Sequence, residues 1–103
     1  MNYGEDGYDD GRSALMCAAL NGHAALVRAF AEAGANVDWK DHDSQTPMSS
    51  ACRRGHPAVV KALIEAGVDI HQRINGSFKT AVWIAAEAGH VDAVKVLLDA
   101  GGR

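Results

Sequence analysis

The strongest constraint on this chain is a phrase that it spells three times. The first copy reads Ser13-Ala14-Leu15-Met16-Cys17-Ala18-Ala19-Leu20-Asn21-Gly22-His23. The second is Thr46-Pro47-Met48-Ser49-Ser50-Ala51-Cys52-Arg53-Arg54-Gly55-His56, and the third is Thr80-Ala81-Val82-Trp83-Ile84-Ala85-Ala86-Glu87-Ala88-Gly89-His90. Each runs on through an apolar stretch to a second glycine, at Gly34, Gly67 and Gly101. Gly22 and Gly55 stand 33 residues apart, Gly55 and Gly89 stand 34 apart, and the second glycines repeat both spacings. Self-similarity at a fixed period in this range predicts a solenoid of stacked units, none of which can bury its apolar face alone.

Each unit reads as two short helices. In the first, the spacing predicts a helix over about Ala14 to Leu20 with Ser13 as its N-cap, stopped by Asn21-Gly22. A second helix follows over about Ala24 to Ala33, with Leu26, Val27 and Phe30 at helical spacing. Unit two opens on Thr46 as N-cap with Pro47 at the first helical position, where a missing amide proton costs nothing. Its second helix starts at Pro57 and presents Val59, Val60, Leu63 and Ile64. The polar stretches between units, Ala35 to Gln45 and Val68 to Lys79, are connecting fingers. The second is one residue longer, and its Asn75-Gly76 pair predicts a tight hairpin turn.

The phrase resembles the ankyrin repeat, whose pattern is Thr-Pro-Leu-His-x-Ala-Ala, then Gly-His, then a leucine-rich helix ending in Gly-Ala. The resemblance covers about residues 8 to 103. It implies an all-α solenoid of three helix-turn-helix repeats, about 11–40, 41–73 and 74–103, with hairpin-like finger loops. The histidine of the pattern is replaced here by Met16, Ser49 and Trp83, so its tie to the opening hydroxyl is expected to be missing from all three repeats. With no glutamate or glutamine there, no capping box is expected. Proline is also absent from repeats one and three, and stability is expected to be modest.

The charge pattern narrows the function. Glu5, Asp6, Asp9 and Asp10 hold four of the thirteen acids, so the remainder of the chain sets nine acids against ten bases. That lacks the basic footprint of a nucleic-acid binder. Residues 1–10 read as an acidic, flexible lead-in. No apolar run reaches membrane-spanning length, and two cysteines without a signal-like segment point to an intracellular, reducing compartment. His23, His56 and His90 recur at one repeat position, which marks helix-start structure rather than three active sites. Cys52 fills a small-residue slot expected to be buried and inert. There is no close ligand pair for a metal, no phosphate loop and no nucleophile elbow. The chain is therefore read as no enzyme, with no cofactor.

What remains is a surface. In ankyrin repeats partners lie across the finger tips and the inner face of the first helices. The resemblance implies a protein or peptide partner held by Arg12 at the finger position that opens repeat one and by Trp39, Lys40, His42, Asp43 and Gln45 in the first finger. Arg73, Phe78 and Lys79 would serve in the second finger. On the inner helices Arg53, Arg54, Trp83 and Glu87 join them, with Leu20-Asn21 and Ala88 alongside. Trp39 reads equally as a contact residue and as packing at the finger base. The final helix, about Val91 to Ala100, carries a stripe of Val91, Ala93, Val94, Val96, Leu97 and Leu98, wider than one buried face requires. That end is expected to be covered by further repeats, a partner or a second copy. Two other readings stay open: a fragment of a longer array, and a metal- or ligand-regulated sensor.

Overall fold

A computed structural model describes residues 12–41, 45–73 and 79–101, with residues 12 and 13 described by backbone alone. Three helix pairs follow one another: α1 (Arg12–Leu20) with α2 (Ala24–Glu32), α3 (Pro47–Arg54) with α4 (Pro57–Glu65), and α5 (Ala81–Ala88) with α6 (Val91–Asp99). First helices stack on first helices and second on second, α1 on α3 on α5 and α2 on α4 on α6, giving an elongated body of 39 × 28 × 20 Å. No strand occurs among the described residues. Helices of eight or nine residues are too short to persist in isolation, so their stability comes from this stacking.

The core is one layer of small and branched side chains running the length of the stack. Leu15, Ala18, Ala19 and Val27 supply it from repeat one. Met48, Ala51, Cys52, Val59, Val60 and Leu63 follow from repeat two, and Ala81, Ile84, Ala85, Ala93 and Leu97 from repeat three. Leu63, expected to be the central buried side chain, is fully enclosed. The alanines matter as much as the larger residues, because they let neighbouring first helices approach closely enough to exclude water. Val68 and Ile70 at the base of the second finger are buried, and their counterparts Ala35 and Val37 pack half-buried at the base of the first.

The helix starts differ from expectation in two places. Repeat two does carry a capping box. Thr46 Oγ1 accepts from the Ser49 amide at 3.1 Å, and Ser49 Oγ accepts from the Thr46 amide at 2.9 Å. The short serine hydroxyl reaches back as a glutamate would, and it also donates toward the Thr46 carbonyl and the Gln45 side chain. The tie expected to be missing from all three repeats is thus rebuilt in the middle one. Ser13, in contrast, is not an N-cap, because α1 begins at Arg12 and takes Ser13 into its first turn. In repeat two Pro47 holds the preceding Thr46 in extended backbone, whereas Ala14 places no such restriction on Ser13. Thr80 is extended at the start of α5 but makes no side-chain cap bond.

Candidate interaction surface

The recurring glycine and histidine form the joint between repeats. His56 Nε2 donates to the Leu20 carbonyl at 2.9 Å, and His90 Nε2 donates to the Arg53 carbonyl at 3.0 Å. Each ring thereby satisfies a carbonyl near the end of the preceding first helix, where intrahelical partners run out. The ring lies against a glycine: a Cβ built on Gly22 would come within 2.8 Å of His56 Nδ1, and one on Gly55 would run into His90. Both glycines also hold left-handed backbone, φ 78° and 75°. The histidines are helix-start residues, as expected, and the reason is this bond across the repeat boundary rather than capping of their own helices.

Beside the joint, the fingers leave the stack through matching turns. Asn36 Oδ1 accepts from the Asp38 amide at 3.0 Å, and Asp69 Oδ1 accepts from the His71 amide at 2.9 Å. Short polar side chains that bond two residues ahead fix the chain's exit direction without a helix or strand. The first finger is closed at its root: the Asp41 amide donates to the Gln45 carbonyl at 2.9 Å, and the Gln45 amide donates to Asp41 Oδ1 at 2.9 Å.

Between that root and the first helices lies a groove of about 200 Å³ lined by Met16, Leu20, Asp41, Gln45, Ser50, Arg53 and Arg54. Its floor is set by a Ser50 hydroxyl bonded to Met16 Sδ at 3.3 Å. Arg53 bonds through Nη1 to Gln45 Oε1, so the residue that closes the finger root also holds a guanidinium in the groove lining. Arg53 and Arg54 are both exposed. Met16 and Leu20 with two exposed guanidinium groups in the same lining, against the one acid Asp41, can seat an extended peptide and pair with its carboxylates.

Of the residues singled out from the sequence, Leu20, Gln45, Arg53 and Arg54 come together in this groove. Lys79 lies over the Trp83 ring, its ammonium 5.0 Å from the ring centroid, at the start of α5 and further along the stack. Glu87 and Arg73 are exposed, as is Lys40, while Trp39 is half-buried beside it. His42, Asp43 and Phe78 lie outside the described residues, as do the Asn75-Gly76 turn and the side chain of Arg12. Sequence reasoning missed Met16, Asp41 and Ser50. Met16 carried a signal, since it occupies the position usually given to the repeat's histidine; Asp41 and Ser50 carried none.

Arg28 and Glu65 pair at 3.4 Å across the outer second helices, with both side chains about half exposed, an ion pair of little net worth in water. Cys52 is buried against Met48 Sδ at 3.8 Å, and burial pushes its thiol up to about 12 despite the opposing charge of Arg53. Its sequence-based reading as an enclosed thiol holds. Among the described residues no three histidines, cysteines or carboxylates gather as a metal would need, and no helix is long and apolar enough to cross a membrane.

A family model for ankyrin repeats in three copies matches residues 2–74, and the single ankyrin repeat model matches residues 78–102. The chain belongs to the ankyrin repeat family. The all-α repeat architecture and the glycine-histidine joints fit that membership throughout. Ankyrin repeats are generally protein-interaction modules. No curated protein matches this chain.

Proposed function

We propose that this ankyrin repeat chain is a non-catalytic binding module that takes an acidic, extended peptide segment of a protein partner along its inner face. The observation that carries the reading is the groove in which Arg53 and Arg54 stand over Met16 and Leu20, walled by the closed root of the first finger. Pre-organisation favours binding here: Gln45 already holds Arg53, so less side-chain freedom is lost when a carboxylate arrives. Trp39 and Lys40, and further along Lys79 on Trp83, extend the same mixed aromatic and basic character. The free thiols suit a reducing, intracellular setting.

The test is selection of peptides on the immobilised chain, followed by titration of the best binder against variants. Acidic sequences should dominate, and Arg54→Ala should weaken binding at least about tenfold, roughly 1.4 kcal/mol. Lys61→Ala, on the outer helices, should leave it unchanged. A binder indifferent to Arg53→Ala and Arg54→Ala but lost with Lys61→Ala would place the site on the opposite face.

A further inference from the structure

The two ends of the stack are complementary halves of one joint. On the first repeat, positions that elsewhere lie against a preceding repeat are uncovered: Ala14, Cys17 and Leu26 are exposed, whereas Pro47, Ser50 and Val59 at the same places in repeat two are buried. His23, counterpart of the bonded His56 and His90, is exposed too. On the last repeat the reverse holds. Ala86 is exposed where Ala19 and Cys52 are buried, and Leu98 is 44% exposed. Nothing lies within 4 Å of a Cβ built on Gly89, although the same construction on Gly22 and Gly55 meets an imidazole. A shallow hollow of about 230 Å³, lined by Ala86, Gly89, His90, Val91, Val94 and Lys95, opens at this end.

The chain makes this joint twice within itself, between repeats one and two and between two and three. We propose that it makes it a third time between copies, repeat one of one molecule stacking on repeat three of the next. His23 of the second copy would lie over Gly89 and donate to the Glu87 carbonyl. That carbonyl stands two residues before its glycine, as Leu20 and Arg53 stand before theirs. A second copy is the fitting occupant because the chain itself carries the matching half, apolar side chains and imidazole included. The contact joins unlike surfaces, so it does not saturate at a dimer; it extends a row until a ring closes or the row breaks. The joint lies on a different face from the inner groove, and neither proposal depends on the other.

The decisive experiment is analytical ultracentrifugation of the whole chain over a wide concentration range, with two single variants at exposed positions, Leu26→Lys and Leu98→Lys. The wild-type mass should climb with concentration. Each variant alone should stay monomeric, since one blocks the leading half and the other the trailing half. An equimolar mixture of the two should form dimers and nothing larger, because only one pair of intact halves remains. Circular dichroism verifies that both variants stay helical; if either unfolds, Ala14→Lys and Ala86→Lys, at joint positions exposed at the two ends, replace them. A wild-type chain that is monomeric at millimolar concentration overturns the proposal. So does a Leu26→Lys variant that still associates, which would indicate pairing of two trailing ends instead.

Discussion

Repeats two and three begin from nearly the same words, Thr46-Pro47-Met48 and Thr80-Ala81-Val82, and close on the same glycine-histidine pair. Their structures diverge in how much of that wording is used. In repeat two the threonine is capped in both directions, the proline is buried, and Gly55 is covered by the ring of His90. In repeat three the threonine makes no cap bond and Gly89 faces open space. Met48 is buried, but Val82 at the same place is only half-buried. A repeat residue therefore has no fixed worth. What it contributes depends on its partners. Gly55 has His90 of the following repeat over it where Gly89 has nothing within 4 Å, and Thr46 has Ser49 three residues on where Thr80 has Trp83.

The comparison is sharpest in the core. Leu63→Ala should lower stability by roughly 2–5 kcal/mol, since the side chain is fully enclosed and its site can collapse only partly. Leu98→Ala removes the same atoms from a half-exposed position and should cost under about 1 kcal/mol. Thermal melts of the two variants decide it, and equal losses would show that enclosure of the side chain does not govern the cost.

The glycines give the next largest contrast. Gly55→Ala and Gly89→Ala each force an alanine into left-handed backbone, a cost of about 1–2 kcal/mol. Only Gly55→Ala also displaces a histidine, so denaturant titration should find it the more damaging of the pair. Adding His90→Ala should recover part of the Gly55→Ala loss and none of the Gly89→Ala loss.

These contrasts also mark where the sequence was legible. The helix pairs, their stops at Gly22 and Gly55 and the burial of Leu63 follow from periodicity and from glycine's backbone freedom, which are local. The capping box escaped because serine was not weighed as a donor and acceptor at once. Ser13 was misplaced because a small hydroxyl residue fits the first turn of a helix as well as its cap, and Thr80, also followed by alanine, stays extended. The destination of the histidine rings was illegible for another reason: each bond spans 36 or 37 residues, and only the stacked structure says which carbonyl is within reach. The groove was partly readable, through Leu20, Gln45, Arg53 and Arg54, because their repeat positions put them on the inner face. Asp41 belongs to it only through the closure of the finger root.

A smaller effect should separate the two opening threonines. Thr46→Ala breaks a reciprocal cap and should cost about 1 kcal/mol, while Thr80→Ala removes no cap bond and should be near neutral. Urea midpoints would read the difference, and equal shifts would mean that the Thr46–Ser49 pair adds nothing.

The smallest contrast at neutral pH is between the cysteines. Cys17, exposed on repeat one, should react with iodoacetamide in the folded chain, and Cys52 only after unfolding. Burial raises the Cys52 thiol from 9.0 to about 12. Between those values the unfolded chain has released the proton that the folded chain keeps, so stability should fall as pH rises through that window and be untouched below it. Cys52→Ala should flatten this alkaline decline relative to wild type, and identical pH profiles would disprove the assignment.

The principal helix contacts run only within a repeat or to the repeat next door. Under tension applied at its two ends such a molecule behaves as links in series, each link bearing the whole load while sharing none of it sideways. The outermost repeat, held by one neighbour, yields before the middle one. Each yielding releases about 33 residues of slack, an extension of roughly 110 Å at full stretch. The protein would lengthen in a few large steps at low force and take them back when the load is removed, more like a spring of discrete coils than a clasp that holds and then snaps.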